Sequence, residues 1–128
     1  QQAVYWFQKA ADQGFAGAQY NLGVMYRHGQ GITQDYQQAI YWYRKAADQG
    51  NADAQLNLGI MYVKGYGTKK NNIEAHKWFN IAASEDSNDE KYSIARDTVA
   101  EHMTPSQIAE AQRRASEWIK THRKSRVK

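Results

Sequence analysis

The sequence predicts an all-α solenoid, and three observations carry the prediction: a period of 36 residues, apolar spacing at helical intervals within each period, and glycines at the joints. Shifted by 36, Trp6 falls on Trp42 and then on Trp78, Gly14 on Gly50, and Gly23 on Gly59. Between Ala3–Gln38 and Ala39–Glu74, 19 of 36 positions are identical without a gap. A unit this small cannot bury its apolar face alone, so successive units must stack into one continuous core.

Each unit holds two helices. The first element is expected over 2–12, ending where Ala-Ala-Asp-Gln runs into Gly14 as a C-terminal cap. In the second, over 16–28, Ala18, Leu22 and Met25 or Tyr26 recur three and four apart, and in the third, over 36–48, Ala39, Trp42 and Ala46 do the same before Gly50. The fourth, over 52–64, repeats the second, with Leu58 and Tyr62 in the places of Leu22 and Tyr26, and the fifth, over 71–84, carries Trp78. Gly29 with Gly31, and Gly65 with Gly67, interrupt the chain between the helices of a unit. Gly23 and Gly59 stand in mid-helix, where glycine costs about 1 kcal/mol relative to alanine. Their recurrence predicts a close approach by the next helix, with its tryptophan as the natural partner.

The sixth helix (89–102) and the seventh (105–121) continue the register in a worn fourth unit: the shift lays Ile94 over Leu58, Ala95 over Gly59 and Ala111 over Ala75. Thr104-Pro105-Ser106-Gln107 supplies an N-cap threonine, proline at the first helical position and a glutamine three on from the cap. Trp118 stands where Ala46 and Ala82 stand in the regular units, and a bulky residue there suits a helix that seals the array. The expected organisation is a single solenoid over 1–121, made of a half repeat (1–14), repeats 15–50 and 51–86, and a degenerate repeat with its capping helix (87–121), followed by a basic, disordered tail over 122–128. Gln1 would begin inside the second helix of a unit, as a piece of a longer array does.

The net charge of +4 divides unevenly, since Lys120–Lys128 holds five basic residues (Lys120, Arg123, Lys124, Arg126, Lys128) and no acid, leaving 12 basic and 13 acidic side chains elsewhere. A near-neutral body does not offer the broad positive face that phosphate binding needs, so no nucleic-acid partner is expected. No apolar run is long enough to span a membrane. The absence of cysteine removes disulfides, thiolate metal sites and a cysteine nucleophile.

Ala-Ala-Asp-Gln-Gly, Ala-Gln-Tyr-Asn-Leu-Gly-Val-Met-Tyr, Gly-Gln-Gly and Ala-Ile-Tyr-Trp-Tyr-Arg-Lys-Ala-Ala resemble the Sel-one-like repeat, the 36-residue relative of the tetratricopeptide repeat. The likeness covers residues 3–83, and Met103–Gln112 is similar to the closing helix of many bacterial members. The resemblance implies a right-handed superhelix of antiparallel helix pairs acting as a protein-interaction scaffold, with the bacterial envelope, periplasm or exterior as its setting.

The two copies of the repeat also separate what the fold holds from what it leaves free. In the first helix of each unit the positions that differ are Gly17, Tyr20, Val24, Arg27 and His28 against Asp53, Leu56, Ile60, Val63 and Lys64. At about 100° per residue they fall within one arc, while Ala18, Leu22 and Tyr26 occupy the adjoining face. The fourth unit extends the arc through Tyr92 and Arg96. By the resemblance, this stripe lines the concave surface. Its apolar centre and polar ends suit an amphipathic peptide; the alternative is that these apolar residues cover one another within a tightly curved array. Trp6, Trp42 and Trp78 recur at the structural period and are expected in the core.

No catalytic machinery and no cofactor are expected. His28, His76, His102 and His122 form no i, i+4 pair, Gly29-Gln30-Gly31 lacks the rest of a phosphate loop, and the one serine followed three later by lysine is Ser125 with Lys128. Two further binding readings stand beside the groove. One is self-assembly through an N-terminal face that bares Val4 and Phe7, giving a dimer; the other is an anionic surface met by the basic tail.

Overall fold

A computed structural model of the protein describes residues 2–126, with side chains described as far as Arg123. Among the described residues there are seven helices and no strand: α1 (Gln2–Asp12), α2 (Ala16–His28), α3 (Tyr36–Asp48), α4 (Ala52–Lys64), α5 (Asn72–Glu85), α6 (Glu90–Ala100) and α7 (Pro105–Arg126). None is long and apolar enough to cross a membrane. Local chemistry sets the boundaries. Asp35 accepts from the N–H groups of Gln37 and Gln38 at the start of α3, Asn51 caps α4 and Asn71 caps α5. Gly29 and Gly65 close α2 and α4 in the left-handed region, at φ 72° and 71°, where a side chain would be strained. Thr104 and Gln107 form a reciprocal capping box, with N–H to Oε1 at 2.9 Å and N–H to Oγ1 at 3.1 Å.

The helices stack in sequence. α2 packs most closely on α3 and α4 on α5, and each pair is joined to the next through α3 with α4 and α5 with α6. The main core cluster holds Tyr43, Leu58, Met61, Trp78 and Ile81; a second gathers Ala11, Leu22 and Trp42, and a third Ala75, Phe79 and Val99. A polar link also obeys the repeat: Gln19 Nε2 donates to the Ala11 carbonyl at 3.1 Å, and Gln55 Nε2 to that of Ala47 at 2.9 Å. These buried amides tie each first helix to the end of the helix before it.

The mid-helix glycines receive rings, but not those of the tryptophans. A Cβ on Gly23 would lie 2.6 Å from Tyr43 Cδ1, and one on Gly59 would lie 2.5 Å from Phe79 Cε1. Each pocket takes the aromatic one residue after the tryptophan. Trp42 instead packs back on Ala11 and Leu22, and that direction explains a second departure. Trp6 is 62% exposed although Trp42 and Trp78 are 6% and 1% exposed. Among the described residues no helix pair precedes α1 to supply the equivalents of Ala11 and Leu22 for Trp6. The apolar side chains bared at this end are Tyr5 and Trp6, whereas Val4 packs on the second cluster and Phe7 is half-buried.

The fourth unit departs most. The principal neighbour of α7 is α5, not α6. At the places of Trp78 and Phe79, α7 carries Arg114 and Ala115, so it has no aromatic pair to seat on α6. Arg114 instead bridges Glu110 and Glu74, each at 2.7 Å, and hydrogen bonds from Arg113 and Arg114 hold the Glu110 carboxyl down to about 2. Ala115 and Trp118 enter the main core cluster. Trp118 meets Trp78 edge-on at 5.7 Å, stacks on His122 at 4.0 Å and directs Nε1 to Asp48 at 3.4 Å. Ile94, in the register of the fully buried Leu22 and Leu58, is left 58% exposed. α7 also takes in residues 122–126 of the stretch expected as a disordered tail. There Arg123 donates to Ser84 Oγ at 2.8 Å. Val127 and Lys128, and with them the Ser125–Lys128 pair, lie outside the described residues.

Candidate functional site

The stripe expected from the sequence sits on α2, α4 and α6, and its members meet different fates. Tyr20 and Val24 pack half-buried against the main cluster, Tyr20 tilting on Tyr43 at 6.0 Å. Arg27 donates to Asn57 Oδ1 at 2.9 Å, linking α2 to α4, while His28 is exposed. Leu56, Ile60 and Val63 pack half-buried on the Ala75–Phe79–Val99 cluster, and Lys64 is exposed. Arg96 reaches Asp97 at 3.0 Å and Asn80 at 3.4 Å. Of the residues expected as architecture, Leu22 and Leu58 are fully buried, Gly23 and Gly59 receive the rings already described, and Ala18 and Tyr26 flank the second cluster. Tyr62 takes a hydrogen bond from Arg44 at 3.1 Å.

Tyr92 departs from the expectation of a free surface residue. It is 3% exposed and its hydroxyl donates to Asp53 Oδ1 at 2.7 Å, with Lys91 Nζ 3.1 Å from the same oxygen. Burial pushes the phenol up to about 12, with the Asp53 hydrogen bond adding to it. Partial burial raises the Asp53 carboxyl, but the hydrogen bonds from Tyr92 and Lys91 outweigh this and leave it below its ordinary value. A depressed carboxylate contributes stability that is present above its unfolded pKa, near 3.9, and is lost as pH falls through the folded value. Tyr92→Phe is therefore expected to cost about 1 kcal/mol at pH 7 in urea denaturation. The gap to the parent protein should begin to narrow below about pH 4 and close as pH falls through the lower value that Asp53 has in the folded parent.

The histidines are spread through the fold. His76 is 2% exposed on α5, and burial, with the nearby Arg96 charge, holds it below its usual value. His122 is committed to Trp118, and His28 and His102 are exposed.

Between α4, α5 and α6 lies a cleft of about 370 Å³. Ile60, Val63 and Lys64 line it from α4, so three members of the stripe converge here. α5 contributes Asn72 and Phe79, and α6 presents Ala95, Thr98 and Val99, with His102 just beyond its end. The space is apolar within, and its polar groups belong to Lys64, Asn72, Thr98 and His102. Lys64 Nζ lies 6.0 Å from the centroid of the Tyr66 ring, and among the described residues no carboxylate pairs with it. Sequence reasoning missed the contributions of α5 and the far side of α6. The signal was present: three tyrosines of one unit, at 36, 62 and 66, become Asn72, Thr98 and His102 in the next.

The Sel1 repeat family model matches residues 1–15, 16–51 and 52–87. Among solved structures, the chain is similar to c5321, a protective antigen of uropathogenic Escherichia coli strains displaying an SLR fold, with a TM-score of 0.89 and 34% identity over 98% of this chain. It is also similar to a Sel1 repeat protein from Oxalobacter formigenes, with a TM-score of 0.62 and 32% identity over 94% of this chain. The chain spans 28% of the first relative and 63% of the second. No curated protein matches by sequence. Proteins built of this repeat generally mediate protein–protein interaction, on a fold that is generally a non-catalytic scaffold.

Proposed function

We propose that this chain, which belongs to the Sel1 repeat family, binds a peptide or partner protein on the concave face formed by α2, α4 and α6, with no chemistry of its own. The observation that carries the reading is the open cleft where Ile60, Val63 and Lys64 meet α6. A concave, mostly apolar space with a few polar groups at its edge is what ligand-binding sites share. The remainder of the stripe is more closed, since Tyr20, Val24 and Leu56 cover core clusters and Tyr92 is buried. The binding surface therefore centres on α4 and the cleft, with Arg27, His28 and Arg96 at its margins.

A second reading, self-assembly, is favoured by Trp6 and Ile94. They occupy register positions that elsewhere bury each other's equivalents, and here they are 62% and 58% exposed. One experiment separates the two. A photo-crosslinking amino acid is placed at 63, in the cleft, or at 6, on the α1 face, and the cross-linked peptides are identified by mass spectrometry. Concave-face binding predicts adducts from 63 to another protein and few from 6. Adducts from 6 to a second copy of the chain, with none from 63, would reject the groove in favour of self-assembly.

A further inference from the structure

The cleft between α4, α5 and α6 has a counterpart one repeat earlier, between α2, α3 and α4, and the two differ in what stands inside. Moving the lining back by 36 residues replaces Asn72 by Tyr36, Thr98 by Tyr62 and His102 by Tyr66. In the earlier position Tyr36 and Tyr66 stack at 4.7 Å with their planes 6° apart, and all three tyrosines pack against the main core cluster. The aromatic residue beneath is kept, because Tyr43 in the first place becomes Phe79 in the second and both are buried against a glycine. The second repeat thus keeps the frame of a ring-filled pocket and lacks its three phenol rings. Its volume of about 370 Å³ lies within the roughly 300–1,000 Å³ of ligand sites. The cation at its edge, Lys64, has no carboxylate partner among the described residues.

We infer that the cleft takes the aromatic side chain, tyrosine or phenylalanine, of a partner segment that carries a carboxylate beside it. The ring occupies the space of the absent phenol rings, against Phe79, Val63 and Val99, and the carboxylate pairs with Lys64. An aliphatic side chain fills part of the volume but forfeits the ring contact with Phe79. A basic segment meets Lys64 as a like charge. The inference rests on reading the α2, α4 and α6 face as the binding surface and names the chemistry that face selects.

The test is an NMR titration of the full chain with acetyl-Glu-Tyr-Glu-amide, acetyl-Glu-Leu-Glu-amide and acetyl-Lys-Tyr-Lys-amide, following the methyl groups of Ile60, Val63 and Val99. The acidic tyrosine peptide is expected to shift these methyls and to bind about tenfold more tightly than the leucine peptide. Thr98→Tyr with His102→Tyr, which restores two rings of the earlier repeat, should abolish the shifts. Lys64→Glu, an exposed change that leaves the core untouched, should weaken the acidic tyrosine peptide and favour the basic one. Equal binding of the leucine peptide at the same methyls overturns the aromatic preference while leaving the face as a binding surface. Silence of the methyls toward all three peptides overturns the inference alone if residue 63 still cross-links to another protein, and the binding face as well if it does not.

Discussion

Trp78→Ala is expected to cost about 3–5 kcal/mol of stability, while Trp6→Ala costs less than about 0.5 kcal/mol. The two residues stand in the same place of the same repeat, each followed by a phenylalanine (Phe7 and Phe79), and both lie inside a helix, so local propensity gives little reason for a difference. Position in the stack gives one. Trp78 is 1% exposed, packs on Trp118 at 5.7 Å and carries the Arg44 and Lys77 cations over its ring. Deleting it empties the junction among α3, α5 and α7, and the surrounding helices can close only part of such a space. Trp6 is 62% exposed and rests edge-on against Tyr5 at 5.1 Å. Urea unfolding followed by circular dichroism checks both. Equal losses at the two sites would show that the exposed position of Trp6 is wrong.

Gly59→Val is expected to cost about 3 kcal/mol, against the usual rule that replacing a helical glycine helps. The added carbons would meet Phe79, whose Cε1 lies 2.5 Å from where the first of them must sit. Phe79 is 3% exposed and belongs to the cluster with Ala75 and Val99, so it has no free direction in which to turn. Gly17 is the control. It lies on the same face of α2 that carries variable residues, nothing stands within 4 Å of its missing Cβ, and Gly17→Ala should gain up to about 1 kcal/mol. Making room should also rescue the clash: Gly59→Val with Phe79→Ala should cost less than the sum of the single changes. Thermal and urea melts of the four proteins read the cycle, and strict additivity would mean that the ring and the glycine do not oppose each other.

The helices were legible because their signals are local. Apolar residues three and four apart, the glycines at the joints and the Thr104–Gln107 box act over a turn or two of chain, and they placed most helix ends within a residue or two. The stripe was legible in part for the same reason, since one helix wheel shows which positions vary. It could not show how far each variable residue stands from the next helix. Tyr92 reads as another free position, yet Asp53, 39 residues earlier, accepts its hydroxyl hydrogen bond and α6 folds it inward. The cleft was hidden because its lining comes from three helices, and its openness depends on side chains smaller than tyrosine at 72, 98 and 102 together.

By itself, the sequence determined the unit: its two helices, its caps, the tryptophan and glycine that recur, and the stacking that a 36-residue repeat obliges. Only the tertiary structure decided how identical units fare in unlike surroundings. Trp6 and Trp78 share a motif, but one has a preceding helix pair to pack on within the described residues and the other does not. α7 keeps the register of the fourth unit, yet without an aromatic pair at Arg114 and Ala115 it settles on α5 and leaves Ile94 bare. A repeat encodes the contacts that each copy can make. Burial is a property of which neighbour arrives to make them, and the open cleft beside Lys64 is one place in this array that the phenol rings of the preceding repeat do not fill.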